Sequence, residues 1–230
     1  MANAELRAHR TRGSVTLVAV SKLQPVSAIE AAYAAGQRDF GESYAQELEA
    51  KAKALAHLGD LRWHFIGNLQ RNKVKLVAPW AQVLHTLDSG ALAQELDKRL
   101  LSVDRVLDVL VEVNVGGEAQ KHGIDPAHLT ELLDAAAGCG RLRARGLMTM
   151  PPGGDPSAAE RCFRSLAVLG ARHAASLGDV PLLSMGMSDD LELAVACGST
   201  HVRVGTAIFG PRDPGAKRSE PTRAPPDDPR

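Results

Sequence analysis

Short apolar runs alternate with longer stretches of helical spacing along nearly the whole chain. The sharpest run, Thr16-Leu17-Val18-Ala19-Val20-Ser21-Lys22, is rich in β-branched residues, and Pro25 follows within three residues of its lysine. A short, bounded apolar run reads as a buried strand. Pro25 then opens a helix on which Val26, Ile29 and Tyr33 share a face, with Gly36 placed as its C-cap. Residues 38–41 give a second strand, and Ser43 with Gln46 forms a capping-box pattern for a helix carrying Tyr44, Leu48 and Leu55. A third strand spans 61–66, and 69–77 reads as a helix with Arg71, Lys73 and Lys75 outward. A fourth strand at 82–87 leads to a helix capped by Ser89 that runs through Leu92, Leu96 and Leu100. The longest strand, 106–113, is followed by a helix that Asp125-Pro126 starts, with Leu129, Leu132 and Leu133 on one face. Residues 142–148 give the sixth strand, and a second capping box, Ser157 with Glu160, opens a helix running toward Leu177. The seventh strand is 181–185, Ser188 caps a helix ending near Gly198, and 201–204 is the eighth.

Strands alternating with helices imply a parallel sheet. Eight such units over residues 1–210 predict a single-domain (β/α)8 TIM barrel, α/β in class, whose active site lies at the C-terminal ends of the strands. An open doubly wound sheet is the alternative. Residues 1–13 form one short helix or a frayed end, with Arg7, His9, Arg10 and Arg12 as a solvated basic face. From Pro211 onward Pro, Arg and Asp dominate, so 211–230 is expected to be a disordered tail.

Composition narrows the function classes. Lys+Arg and Asp+Glu are both 27, so no net field favours nucleic acid or a membrane surface. Cys139, Cys162 and Cys197 are odd in number and widely spaced, which suits reduced thiols rather than a disulfide framework or a metal site. With no signal-peptide core and no apolar stretch long enough for a bilayer, a cytoplasmic protein is expected, and a monomer.

Three stretches carry candidate chemistry. The first strand delivers Lys22 to the edge of the core, where low dielectric lowers an amine's pKa and a neutral amine attacks aldehydes. The bland alternative is a lysine whose stem packs while its head reaches water. In Ser184-Met185-Gly186-Met187-Ser188 a strand ends, glycine turns the chain and serine opens a helix, which makes either an anion site or a plain N-cap. Asp189 and Asp190 oppose the anion reading unless they point outward. In Arg203-Val204-Gly205-Thr206, glycine and threonine follow the eighth strand, where barrels often build a phosphate site. Arg203 facing inward needs an acceptor, and a carboxylate such as Glu112 or Asp39 would serve equally well.

Taken together, and in order, several pieces resemble the YggS/PROSC family of pyridoxal-phosphate-binding proteins, the PLP homeostasis proteins. The pieces are Val18-Ala19-Val20-Ser21-Lys22, Phe40-Gly41-Glu42-Ser43-Tyr44, Trp63-His64-Phe65-Ile66-Gly67, Gln70-Arg71-Asn72-Lys73, Lys121-His122-Gly123-Ile124, Gly146-Leu147-Met148, the 184–188 stretch and Arg203-Val204-Gly205-Thr206. The resemblance implies a fold similar to the barrel domain of bacterial alanine racemase and a pyridoxal 5′-phosphate (PLP) cofactor held as a Schiff base on Lys22. It implies phosphate contacts from Ser188, Gly205 and Thr206, Arg203 facing the pyridine nitrogen, and Met185 and His201 near the cofactor as packing. Ser43 stands where the family usually has asparagine beside the ring oxygen, and Asn68 where histidine is frequent. Lys121 matches a lysine implicated in cofactor transfer, although a solvated loop lysine is the simpler reading.

A carboxylate at the ring nitrogen strengthens the cofactor's electron sink, whereas a donor-only arginine weakens it. Tyr33 and Tyr44 sit in early helices, so two-base racemisation lacks an obvious second base. The expectation is therefore a non-catalytic holder of PLP acting in its homeostasis, with apo PLP-dependent enzymes as partners and no nucleic acid or membrane. An amino-acid racemase is the alternative, and a cofactor-free Schiff-base aldolase on phosphorylated substrates comes third.

Overall fold

A computed structural model describes residues 1–117 and 122–210. Parallel strands close into a barrel in sequence order: β1 (Thr16–Val20), β2 (Asp39–Glu42), β3 (Arg62–Phe65), β4 (Val83–Leu87), β5 (Leu107–Glu112), β6 (Leu142–Met148), β7 (Leu182–Ser184) and β8 (His201–Val204). The closing pair is β1 with β8, in a register that places Val18 beside Arg203. The barrel expectation holds and the open sheet is excluded. Among the described residues no helix is long and apolar enough to cross a membrane.

Side-chain alternation explains why this barrel carries chemistry inside. Successive residues of a strand face opposite sides. Trp63 and Phe65 of β3 and Leu84 and Leu87 near β4's ends join the main core, which lies between the strands and the surrounding helices. His64 and His85 bond to each other across the interior. Val83, Leu110 and Met148 make a small separate apolar cluster, with Leu182 packed against it. The outer helices include α2 (Val26–Ala34), α3 (Ala45–Ala54), α5 (Gly90–Ser102) and α6 (Leu129–Ala137). On α5 the buried residues Leu92, Ala93, Leu96 and Leu100 form the inward stripe that helical spacing demands.

Several helix starts differ from expectation. The helix α3 begins at Ala45 behind Tyr44, with no side-chain cap, so Ser43 and Gln46 form no capping box. The helix α7 (Pro156–Arg172) is capped by Asp155, whose carboxylate accepts from the N–H groups of Ser157 and Ala158. Pro156 at the first helical position sets that start, which moves the cap upstream of Ser157. The chain then breaks at His173 before α8 (Ala174–Leu177). The predicted helix 69–77 resolves into a 3₁₀ turn at Arg71–Lys73 and a single α turn, α4 (Val74–Val77). The helix α9 (Leu191–Ala196) starts behind Asp190, so Ser188 is not its cap. Gly36, at φ +100°, does take the position after α2, and its N–H reaches the Tyr33 carbonyl.

The N-terminal segment is also less solvated than its charges suggest. The helix α1 (Ala2–Arg7) packs against α9. Arg7 pairs with Glu192 at 2.7 Å, and Arg10 donates to the Ser199 carbonyl. The buried Glu5 carboxylate ties down the N–H groups of Gly13 and Val15 ahead of β1. The expected tail, 211–230, lies outside the described residues.

Candidate functional site at the barrel mouth

The C-terminal ends of β1, β7 and β8 gather the candidate residues. Lys22 follows β1 in the turn that leads to α2, and it is half-buried. Its neighbour Leu23 has φ +62°, the left-handed region that costs a side-chain-bearing residue about 1–2 kcal/mol. That conformation is held from outside. The Leu23 N–H donates to Glu47 at 2.6 Å, and the same Glu47 oxygen accepts from Lys51 at 2.6 Å. Lys51, only 5% exposed as a residue, also donates from its ammonium to the Ser21 carbonyl and to Glu42 Oε1. Ser21 Oγ donates to that same Glu42 oxygen at 2.7 Å. A buried ionic knot thus grips the chain on both sides of Lys22. Burial pushes the Glu42 carboxyl up to about 7, with the Lys51 ammonium pulling the other way. Glu42 Oε2 is the single buried side-chain polar atom without a partner among the described residues.

Arg203 lies on β8, adjacent to β1, with its side chain sealed in the interior. Its Nη1 donates to Ser184 Oγ at 2.7 Å and its Nη2 to the Thr149 carbonyl at 3.2 Å. Among the described residues it makes no ion pair, so neither Glu112 nor Asp39 is its partner. Asp39 instead accepts from His64 at 2.9 Å, with Arg62 at 3.5 Å. Burial pulls the Arg203 guanidinium down to about 10, partly offset by the attraction of Glu112 and Asp190. A donor-only cation held in the interior without a bound carboxylate suits a neutral acceptor such as a pyridine nitrogen. The donor set therefore fits the expected cofactor.

Gly205 brings the loop after β8 against β1. A Cβ there would lie 3.3 Å from the Val20 carbonyl oxygen, so a side chain would crowd the strand that ends at Lys22. Gly186, at φ +93°, lets the turn after β7 lie on α9, where an added Cβ would meet Ala194 at 2.4 Å. Ser188 lines a cavity of about 660 Å³ bounded by residues of the 151–156 loop. Asp189 is exposed, and Asp190 accepts from the Met187 N–H at 2.6 Å.

The family model described as alanine racemase, N-terminal domain, matches residues 1–213. The pyridoxal phosphate homeostasis protein of Escherichia coli K12 is 45% identical over 213 residues, covering 91% of each chain. That of Vibrio alginolyticus is 44% identical over the same length and coverage. The chain belongs to the alanine racemase N-terminal domain family, among the pyridoxal phosphate homeostasis proteins. A solved structure of PipY from Synechococcus elongatus PCC7942, with PLP bound, is 39% identical with a TM-score of 0.80, covering 90% of this chain and 98% of that one. Alanine racemase from Corynebacterium glutamicum, 18% identical with a TM-score of 0.62, shows the shared fold; this chain covers 58% of it.

Within this barrel the expected site residues separate into two groups. Lys22, Arg203, Gly205 and Thr206 lie on the adjoining ends of β1 and β8, and Ser188 lies on the neighbouring loop. Met185 is fully buried in the main core. His201 sits two residues before Arg203 on β8, its ring tilted against His64 and edge-on to His85 at centroid separations of 6.1 and 6.2 Å. Ser43 is half-buried in the turn before α3, where the Gly67 backbone presses on it; a Cβ on Gly67 would fall 2.1 Å from the Ser43 carbonyl oxygen. Lys121 lies outside the described residues.

Sequence reading missed Asp39, Glu42, Lys51, His64, His85 and Ser184 as a supporting set. A signal existed in part. Imidazoles inside otherwise apolar strands, as in Trp63-His64-Phe65 and Leu84-His85, must be hydrogen-bonded, because a buried unpaired polar group is costly.

Proposed function

We propose that this protein binds pyridoxal 5′-phosphate at the C-terminal mouth of the barrel and acts in intracellular PLP homeostasis, buffering the cofactor and passing it to apo PLP-dependent enzymes. Bound there, the cofactor supplies a reactive aldehyde, which Lys22 holds covalently through its amine. Ser188, Gly205 and Thr206 bind the phosphate, and Ser43 lies toward the ring oxygen with water between, because its side chain is shorter than asparagine. Arg203 donates to the ring nitrogen and keeps a proton off it. Met185 and His201 pack behind the site. The observation that carries this reading is the interior arginine whose side-chain partners are a hydroxyl and a carbonyl. It is supported by the PLP named in the PipY structure and by the names of relatives at about 45% identity.

The same arginine favours holding over catalysis. An unprotonated ring is a poor electron sink, so proton abstraction from a bound amino acid gains little. The reading is of a cytoplasmic monomer with a barrel over 1–210. Cys139, Cys162 and Cys197, buried and outside any disulfide, are consistent with a reducing compartment.

The test is borohydride reduction of the protein incubated with PLP, followed by peptide mass mapping. The label is expected on Lys22, with the visible absorbance lost in Lys22→Ala. A colourless wild-type protein, or a label on another lysine, overturns the reading. Sustained turnover in a chiral amino-acid assay would replace the holder with a racemase.

A further inference from the structure

Five polar groups on five different strands form one unbroken hydrogen-bonded chain through the barrel interior. Asp39 Oδ1 lies 2.9 Å from His64 Nε2, His64 Nδ1 lies 2.8 Å from His85 Nε2, and His85 Nδ1 lies 2.8 Å from Ser184 Oγ. Ser184 Oγ then accepts from Arg203 Nη1 at 2.7 Å. His64, His85 and Ser184 are completely buried. Asp39 opens β2 at the N-terminal end of the barrel, whereas Ser184 closes β7 and Arg203 stands one residue before the end of β8. The chain therefore climbs from the closed end of the barrel toward its mouth.

The two ends fix the direction of every bond. Arginine can only donate, so Ser184 Oγ must accept from it. Asp39 is held ionised: burial raises its pKa, but the hydrogen bond from His64 and the nearby Arg62 guanidinium work against it, and the net shift is downward. An ionised carboxylate can only accept, so His64 carries its proton on Nε2 and offers a bare Nδ1. His85 must then carry its proton on Nε2 and offer a bare Nδ1 to the Ser184 hydroxyl. The reverse order would point the lone pair of His64 at a carboxylate and leave the Ser184 hydrogen buried without an acceptor. Burial lowers the pKa of both imidazoles, which keeps them neutral and the order intact.

We propose that the Asp39–His64–His85–Ser184 chain is a one-way hydrogen-bond brace that locks the Arg203 guanidinium in place and thereby keeps the ring nitrogen of the bound cofactor unprotonated. His85 and Ser184 are positioning residues, since they act through Arg203 and not on the cofactor. The inference rests on the reading that Arg203 faces that nitrogen. The brace explains how a cationic group is kept in a fixed pose without a carboxylate partner. Ser184 occupies one of its nitrogens, the Thr149 carbonyl another, and the remaining donor edge is free to serve the ligand.

Two measurements test it. In the cofactor-free wild type, nitrogen-15 NMR of the imidazoles should show His64 and His85 as neutral Nε2–H tautomers at pH 7. A proton on Nδ1 of either, or an imidazolium, overturns the brace whether or not PLP binds. In protein loaded with nitrogen-15-labelled PLP, the ring-nitrogen signal should sit at the unprotonated position in wild type and move toward the pyridinium position in Ser184→Ala at pH 6. A folded Ser184→Ala that keeps both the label on Lys22 and the unprotonated signal overturns the brace and leaves the PLP reading standing. Absence of bound PLP in wild type sinks the PLP reading instead, and the tautomers still decide the brace. His85→Gln serves as a second variant: its amide can reach His64 but cannot offer Ser184 the same acceptor, so the same shift is expected.

Discussion

The two polar networks behind the mouth solve one problem in opposite ways. The knot beside Lys22 is ionic and compact: Lys51 meets Glu47 one helical turn away and Glu42 nine residues away. The brace beneath Arg203 is neutral along its middle and joins residues as far apart as His85 and Ser184. Charges need counter-charges close by, so the knot is dense and one Glu42 oxygen is still unmatched. Neutral imidazoles need only a donor on one side and an acceptor on the other, so the brace can extend across the barrel without strain. The knot holds a strained backbone at Leu23 in place, whereas the brace holds a side chain.

The largest expected difference between them follows from removing the cation. Lys51→Met strands Glu42 in the interior without a counter-charge, and breaking a buried pair on one side costs about 3–5 kcal/mol. Chemical denaturation should show that loss near pH 8. At pH 5 the cost should shrink, because a carboxyl whose pKa is already raised takes up a proton instead. An equal loss at both pH values would mean that Glu42 is not the group left exposed to the change.

Glu42 in the knot and His201, packed against the two imidazoles of the brace, should also pull stability in opposite directions with pH. Glu42 titrates at about 7 in the fold, against 4.5 for an ordinary glutamate. The folded state holds that proton more tightly, so the contribution is complete below pH 4.5 and is lost as pH rises through about 7. His201 is pushed down by burial to about 4, against 6.5. Its contribution is complete above pH 6.5 and is lost as pH falls through about 4. Each pKa unit of separation is worth about 1.4 kcal/mol. Denaturation curves from pH 4 to 8 should therefore show Glu42→Gln gaining on wild type as pH rises, and His201→Phe gaining as pH falls. Slopes of the same sign in both variants would remove the contrast.

A smaller effect is expected from cutting the neutral network. His85→Leu leaves His64 Nδ1 without a donor and Ser184 without an acceptor for its hydrogen, at about 1–3 kcal/mol for each buried group left unmade. The loss should be insensitive to pH between 7 and 8, unlike that of Lys51→Met, and equilibrium unfolding at both values checks it.

The contrast also marks how far the sequence could be read. The barrel is visible because each strand is a short apolar run and each helix a periodic one, and those signals are local. Lys22 and Arg203 are visible because a charged residue at the end of an apolar strand is itself conspicuous. The supporting networks are not, because which inward residues of different strands share a layer depends on the register of closure. His85 and Ser184 are 99 residues apart, and nothing in either segment announces the other. Helix starts failed for a different reason. Ser43, Ser157 and Ser188 are all plausible caps, but the chain places α3, α7 and α9 behind Tyr44, Asp155 and Asp190. A capping residue is chosen by where the strand-to-helix turn ends, and proline at position 156 or a glycine at 186 decides that before serine can.

The smallest effect belongs to a pair that looks the same on paper. Arg7 meets Glu192 at 2.7 Å, the same separation as Lys51 and Glu42. The side chains of the first pair are 70% and 59% exposed, those of the second 6% and 0%. In water the Coulomb gain of the exposed pair is screened and offset by the ordering of two long side chains, so it is worth about 0–1 kcal/mol. Arg7→Ala should therefore shift the unfolding midpoint slightly, and the shift should vanish in 1 M salt, where screening acts over about 3 Å. Lys51→Met should keep its full cost in the same salt, because ions do not enter the core. If the two variants respond alike to salt, the Lys51 knot is open to solvent, and the strained turn at Leu23 would have to be held by its packing alone.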